Sequence, residues 1–168
     1  MAKERVRGVL ESGLVSVGAP APDFELPALI GGVRKNFRMA DYRGKNMVLS
    51  FCPFNWQEAT ISQMTAYQSQ RARFVSGNAE TVVLTVESIM NMTALERAHG
   101  PFDFPMCSDF WPHGAVCRNY GVLRESGAGA SERAIVLVNP AGLVAFCKNY
   151  DADERPSLDD VFPLLEKM

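Results

Sequence analysis

Long apolar runs are absent from this chain of 168 residues: no stretch reaches the roughly 18 residues of a membrane-spanning helix. The amino terminus, MAKERVRGVLESG, likewise lacks the continuous hydrophobic centre of a secretory signal. Together these absences lead us to expect a soluble, cytoplasmic protein with no membrane partner. An excess of one charge is also missing. Seventeen basic and nineteen acidic residues leave a net charge of -2, scattered along the chain, which argues against a nucleic-acid partner. Histidine is scarce, with two residues, and cysteine is sparse, with four. Cys52, Cys107, Cys117 and Cys147 are too dispersed for a disulfide framework in a chain of this size, so reduced thiols are expected. Cys107, His113 and Cys117 follow no usual zinc spacing and lack a fourth ligand, and we expect neither metal nor cofactor. Internal repeats and low-complexity segments are missing too.

What remains is ample material for one core. Hydrophobic residues make up 47% of the chain, and its length suits a single globular domain. A short helix is expected at residues 3 to 12, followed by VGAPAPDFELPAL, whose three prolines require an extended or turning strap. VRKNFRM reads as a short strand, and NMVLSFC as a strand buried on both faces. Ile61, Met64, Tyr67 and Phe74 recur at helical intervals, predicting one helix from about Trp56 to Phe74; Asn55 and Glu58 have the spacing of a capping box. ETVVLTVES is a second buried strand, MTALERAHG a helix, FPMCSD a strand end and HGAVCRNYG a helix. SERAIVLVNPAGLVAFCKNY predicts a hairpin turning at Asn139-Pro140-Ala141-Gly142, and SLDDVFPLLEKM a closing helix capped by Ser157. Crossover helices early and a hairpin late imply an α/β sandwich around a mixed sheet.

The fragments APDFELP, DYRGKNMVLSFCPFNW, VVLTVES, FPMCSD, NYGV and ERAIVLVNPAGLV, in this order and at these separations, resemble the peroxiredoxins of the alkyl hydroperoxide reductase and thiol-specific antioxidant group. The resemblance covers residues 17–168 as a single domain and leaves residues 1–16 as an extension. It implies a thioredoxin-like fold, a mixed central β-sheet flanked by helices in a peroxiredoxin-type three-layer sandwich. It also implies thiol-dependent reduction of hydroperoxides, a thioredoxin-type protein as thiol reductant, and a homodimer. In that family a cysteine in the first turn of a helix ionises, attacks the terminal oxygen of the peroxide and becomes a sulfenic acid.

The family's motif places proline, threonine, cysteine and a distant arginine on Pro53, Gln57, Thr60 and Arg133, with an aromatic residue on Trp56. The acidic residue often found three beyond the cysteine falls on Gln63. Proline, aromatic residue and arginine match; the reacting sulfur does not. A threonine hydroxyl has no reversible oxidation ladder, so ordinary peroxidase chemistry is not expected at Thr60. Two readings stay open. Another thiol, with Cys52 the nearest candidate, carries the redox chemistry, or the chain is a non-catalytic homologue whose pocket binds a small peroxide-like or anionic ligand, or whose faces serve as a sensor or interaction module. Cys52 at a strand end also reads as an inert core residue. Arg133 also reads as a structural ion-pair residue, neutralised by Glu132 or Asp109.

Overall fold

The computed structural model describes residues 13–124 and 129–168. The helix expected at residues 3 to 12 lies outside them. In chain order the elements are β1 (Glu25–Ile30), β2 (Val33–Arg38), β3 (Asn46–Phe51), α1 (Glu58–Ser69), α2 (Arg71–Ser76), β4 (Ala79–Thr85), α3 (Ile89–His99), β5 (Met106–Ser108), α4 (Ala115–Asn119), β6 (Arg133–Val138), β7 (Val144–Tyr150) and α5 (Phe162–Glu166). Seven strands form one mixed sheet in the order β2-β1-β5-β4-β3-β6-β7. β3, β4 and β5 run parallel, and β6 lies antiparallel to β3.

The central strands are apolar throughout because both sheet faces are covered. Successive side chains point to opposite faces. Val48, Val83, Ile135 and Leu137 therefore join one cluster with Met64, Phe74, Met92 and Phe162 from the helices. Leu49, Val82, Leu84 and Val136 join the other, with Phe24, Phe37 and Tyr120. The α/β sandwich expected from the sequence is thus a three-layer thioredoxin-like fold. The amino-terminal Leu14 and Val15 are buried in this second cluster, and the Val15 N–H donates to the Tyr120 carbonyl at 3.2 Å.

Several local expectations are refined or corrected. The proline-rich strap includes a strand, β1, with Pro27 set opposite Asn36 of β2. Proline keeps an extended φ and only lacks the N–H, so it fits where pairing to one neighbour is incomplete; β5 pairs only with Ala28 and Leu29. The helix after β3 starts at Glu58, and Gln57 at its N-cap makes no side-chain cap bond. The capping box does not form because Asn55 lies two residues before the N-cap; its Nδ2 donates to Asn91 Oδ1 at 3.0 Å and its Oδ1 accepts from no described residue. Finally, the helix is divided at Gln70 into α1 and α2. The Ser69 hydroxyl donates to the Ala66 carbonyl, the same acceptor that the Gln70 N–H uses, which is a local competition with helical bonding. The closing segment is likewise split, into a short turn of 3-10 helix at Leu158–Asp160 with Ser157 capping it and the five-residue α5.

The hairpin forms as expected. Asn139 Oδ1 accepts from the N–H groups of Ala141 and Leu143, both at 3.0 Å. Gly142 has φ +83, a conformation that costs glycine little.

Candidate functional site

The site lies where β3 ends, α1 begins and β6 starts. β3 and β6 are antiparallel with Phe51 opposite Ala134, and one further step of that register sets Cys52 opposite Arg133. Residues 60, 63 and 67 of α1 are three and four apart and so share a face. Thr60, Gln63 and Tyr67 are all buried on that face. A polar stripe of the helix therefore meets the polar ends of two strands, inside an otherwise apolar interior.

Arg133 is 0% exposed and organises the cluster. Its Nη2 donates to Thr60 Oγ1 at 2.9 Å and to Gln57 Oε1 at 3.0 Å. Nη1 donates to Gln63 Oε1 at 3.2 Å, and Nε to the Ala152 carbonyl at 3.0 Å. All four acceptors are neutral. Among the described residues no carboxylate pairs with Arg133: Glu132 pairs with Arg124, and Asp109 accepts the N–H groups of Val116 and Cys117 at the start of α4. The two partners considered for a purely structural Arg133 are thus engaged elsewhere.

The network extends inward through two residues that the sequence reading did not assign to the site. Gln63 Nε2 donates to the Tyr67 hydroxyl at 2.8 Å, and that hydroxyl is bonded to Ser50 Oγ. Burial pushes the Tyr67 phenol up to about 12, so it stays protonated. The spacing of Thr60, Gln63 and Tyr67 was a legible signal for this chain; Ser50 was hidden in the apolar run of β3.

Cys52 is fully buried, and its Sγ lies 3.6 Å from Gln63 Oε1 as a donor. Burial raises its pKa; the charge of Arg133 and hydrogen bonds from Thr60 and Arg133 pull the other way without prevailing. The thiol is therefore held neutral in the same cage that holds Thr60. Cys107 and Cys117 are buried, with pKa values raised well above the usual range by burial and then by the charge of Asp109. Cys147 is half-buried, and its Sγ donates to the Val15 carbonyl at 3.1 Å. His113 is exposed, with Nε2 2.8 Å from the Gly129 carbonyl oxygen.

Pro53 is buried in the turn after β3, and Trp56 faces outward rather than into the cluster. The Trp56 Nε1–H donates to Asn91 Oδ1 at 3.0 Å, and the ring meets His99 edge-on at 5.8 Å. Asn91 Nδ2 donates to Glu87 at 3.2 Å, and the Asn55 N–H also donates to the Glu87 carboxylate. These bonds pin the loop before α1 to the start of α3. Outside the cluster, Gln57, Glu58, Ala59, Ser62, Asp153 and Arg155 line a surface cleft.

A thioredoxin-like sheet with a buried arginine facing the first turn of the helix after the central strand defines a class of thiol-redox folds, and comparison with known proteins narrows it. The AhpC/TSA family model matches residues 17–147, and the chain belongs to that peroxiredoxin family, whose parent activity is thiol-dependent peroxide reduction. The chain is 28% identical to peroxiredoxin tpx1 of Schizosaccharomyces pombe over 158 residues, covering 90% of this chain and 81% of the relative. It is 26% identical to peroxiredoxin-2 of Cricetulus griseus over 163 residues, 94% and 81% respectively. Among solved structures, reduced 2-Cys peroxiredoxin of Plasmodium vivax superposes with a TM-score of 0.83 at 23% identity, covering 89% of this chain and 80% of that one. Enterococcus faecalis AhpC gives 0.83 at 24% identity, with 90% of each chain covered.

Proposed function

We propose that this peroxiredoxin keeps the arginine-centred pocket of its family as a binding site for a small peroxide-like or anionic ligand and does not reduce peroxide through residue 60. In this reading residues 17–168 act as one domain, and Thr60 stands at the peroxidatic position. The observation that carries the proposal is the buried Arg133 guanidinium, bonded to Thr60, Gln57 and Gln63 with no anionic partner among the described residues. Thr60 cannot donate an electron pair and be recycled as sulfur can. A buried cation without a counter-charge still favours a bound anion or a polarised peroxide oxygen.

A second reading is favoured by the position of Cys52 in the same cage. A Cys52 thiolate would attack the terminal peroxide oxygen, the O–O bond would break, and the departing alkoxide would take a proton to leave as alcohol. The resulting sulfenic acid would be returned to thiol, with loss of water, by a thioredoxin-type reductant. Full burial and a neutral thiol weigh against this route. A homodimer and a cytoplasmic location belong to the proposal as well; Trp56 in the loop after β3, Met90 at the start of α3, and Phe110 and Trp111 in the loop after β5 are exposed and so supply apolar surface for a partner copy.

Stopped-flow peroxide consumption with mass spectrometry of the thiols tests the two readings. We expect no fast phase in the wild type and no sulfenic acid at any cysteine. Thr60→Cys should gain activity by a factor of at least about 100, since a thiolate at the helix start beside Arg133 has the charge environment it needs. A fast wild-type reaction lost in Cys52→Ser would establish the second reading and sink the first.

A further inference from the structure

The guanidinium offers five N–H donors, and the four contacts to Arg133 have unequal surroundings. Ala152 contributes a backbone carbonyl, while Thr60 and Gln63 are fixed on the buried face of α1. Gln57 differs. It is half-buried, sits at the N-cap without capping the helix, and lines the surface cleft together with Ser62, Asp153 and Arg155. Its side chain is thus the boundary between that cleft and Arg133 Nη2. Of the residues bonded to the guanidinium, Gln57 is the one whose rotation would open a path to it.

The electrostatics favour a replacement for Gln57. Taking an arginine out of water costs several kcal/mol, and an amide dipole offsets less of this than a carboxylate would. Nη2 and Nη1 form a planar fork suited to a planar, two-oxygen anion. The first N–H groups of α1 lack intrahelical partners and add positive potential at the same place. At the mouth the carboxylates of Glu58 and Asp153 outnumber the single guanidinium of Arg155, which disfavours multiply charged anions and leaves a singly charged one as the better fit.

Resting on the ligand-pocket reading above, we propose that Gln57 is a built-in stand-in for the ligand: its carbonyl oxygen holds the place at Arg133 that a small monocarboxylate takes when the side chain swings into the cleft. The site is then a gated carboxylate pocket, closed by its own amide.

Sodium formate is the probe, titrated against chloride at constant ionic strength into wild type and Gln57→Ala, with binding read by calorimetry and thermal shift. Removing the amide should tighten formate binding at least about ten-fold, which corresponds to about 1.4 kcal/mol. Adding Arg133→Lys to Gln57→Ala should reverse the gain, because lysine cannot present the planar fork. Equal affinities in wild type and Gln57→Ala would overturn the gate while leaving the pocket reading intact. Formate binding by neither protein, with both folded by circular dichroism, would overturn the carboxylate assignment. Undiminished binding in the Arg133→Lys double variant would place the anion elsewhere and overturn the proposal too. The pocket reading is judged separately, by the peroxide kinetics of the wild type and of Thr60→Cys.

Discussion

The thiols of this protein differ in access to solvent, and that difference sets their chemistry. Burial raises the pKa of all four thiols, but Cys52, Cys107 and Cys117 are fully buried whereas Cys147 is half-buried on β7 and so is the accessible one. Alkylation requires thiolate and access together. Iodoacetamide at pH 8 should therefore modify Cys147 first, and the other three at least about ten-fold more slowly, at the rate of local or global opening; peptide mass spectrometry against time measures this. The same shifts have a pH consequence. In the unfolded chain thiols ionise near 8.5 and tyrosine near 10, but in the folded protein the buried thiols ionise later and Tyr67 only at about 12. The unfolded state sheds these protons first, so stability is complete below the unfolded values and falls as pH rises from about 8.5 toward 12. A denaturation midpoint that held constant from pH 8 to 11 would contradict the buried placement of these groups.

At the scale of elements, the amino-terminal residues pass the turn after α4 too closely to admit a side chain there. Gly121 has φ +74, and a Cβ there would fall 1.2 Å from the Gly13 carbonyl oxygen. Gly121→Ala must therefore both strain the turn and displace residues 13 to 15, which bury Leu14 and Val15 beside Tyr120. A loss of about 2 to 4 kcal/mol in urea unfolding is expected, with cleavage before residue 17 accelerated in limited proteolysis. Nothing in the sequence marked residues 13 to 15 as part of the core, because two apolar side chains among small and polar residues carry no period. The central strands and the hairpin, by contrast, were legible from unbroken apolar runs and from Asn139-Pro140-Ala141-Gly142. Strand β1 was obscured by Pro27, and the division of the helix at Gln70 by the absence of proline or glycine there. Within the site, the resemblance to the family motif marked Thr60, Gln57, Gln63 and the distant Arg133 as neighbours. The step from Gln63 to Tyr67 was legible as a four-residue spacing on α1, but the step from Tyr67 to Ser50 was not, since it depends on the facing of α1 over β3 rather than on sequence distance.

For the whole molecule, the parallel run of β3, β4 and β5 brings the loops that follow them to one end of the sheet. Trp56, Met90, Phe110 and Trp111 emerge there, with Met90 74% and Trp111 79% exposed. Four large apolar side chains at one end are costly to leave in water, and a second copy of the chain would cover them symmetrically. A stable pair needs about 800 Å² from each partner, with aromatic residues at its centre. The site is close by, because Trp56 precedes Gln57 and is tied to Asn91. In the proposed homodimer, Trp111→Glu would bury a charge against an apolar surface, raising the dimer dissociation constant at least about 100-fold, or about 2.7 kcal/mol. Sedimentation velocity across a concentration series measures this: the wild type should run at twice the mass of the chain, and Trp111→Glu at the mass of one chain with unchanged circular dichroism. A wild type that stays monomeric at high concentration would refute the pairing, and the exposed aromatic residues would then have to meet a different protein. A variant that dimerises as tightly as the wild type would move the interface to another face, such as the open edge of β7.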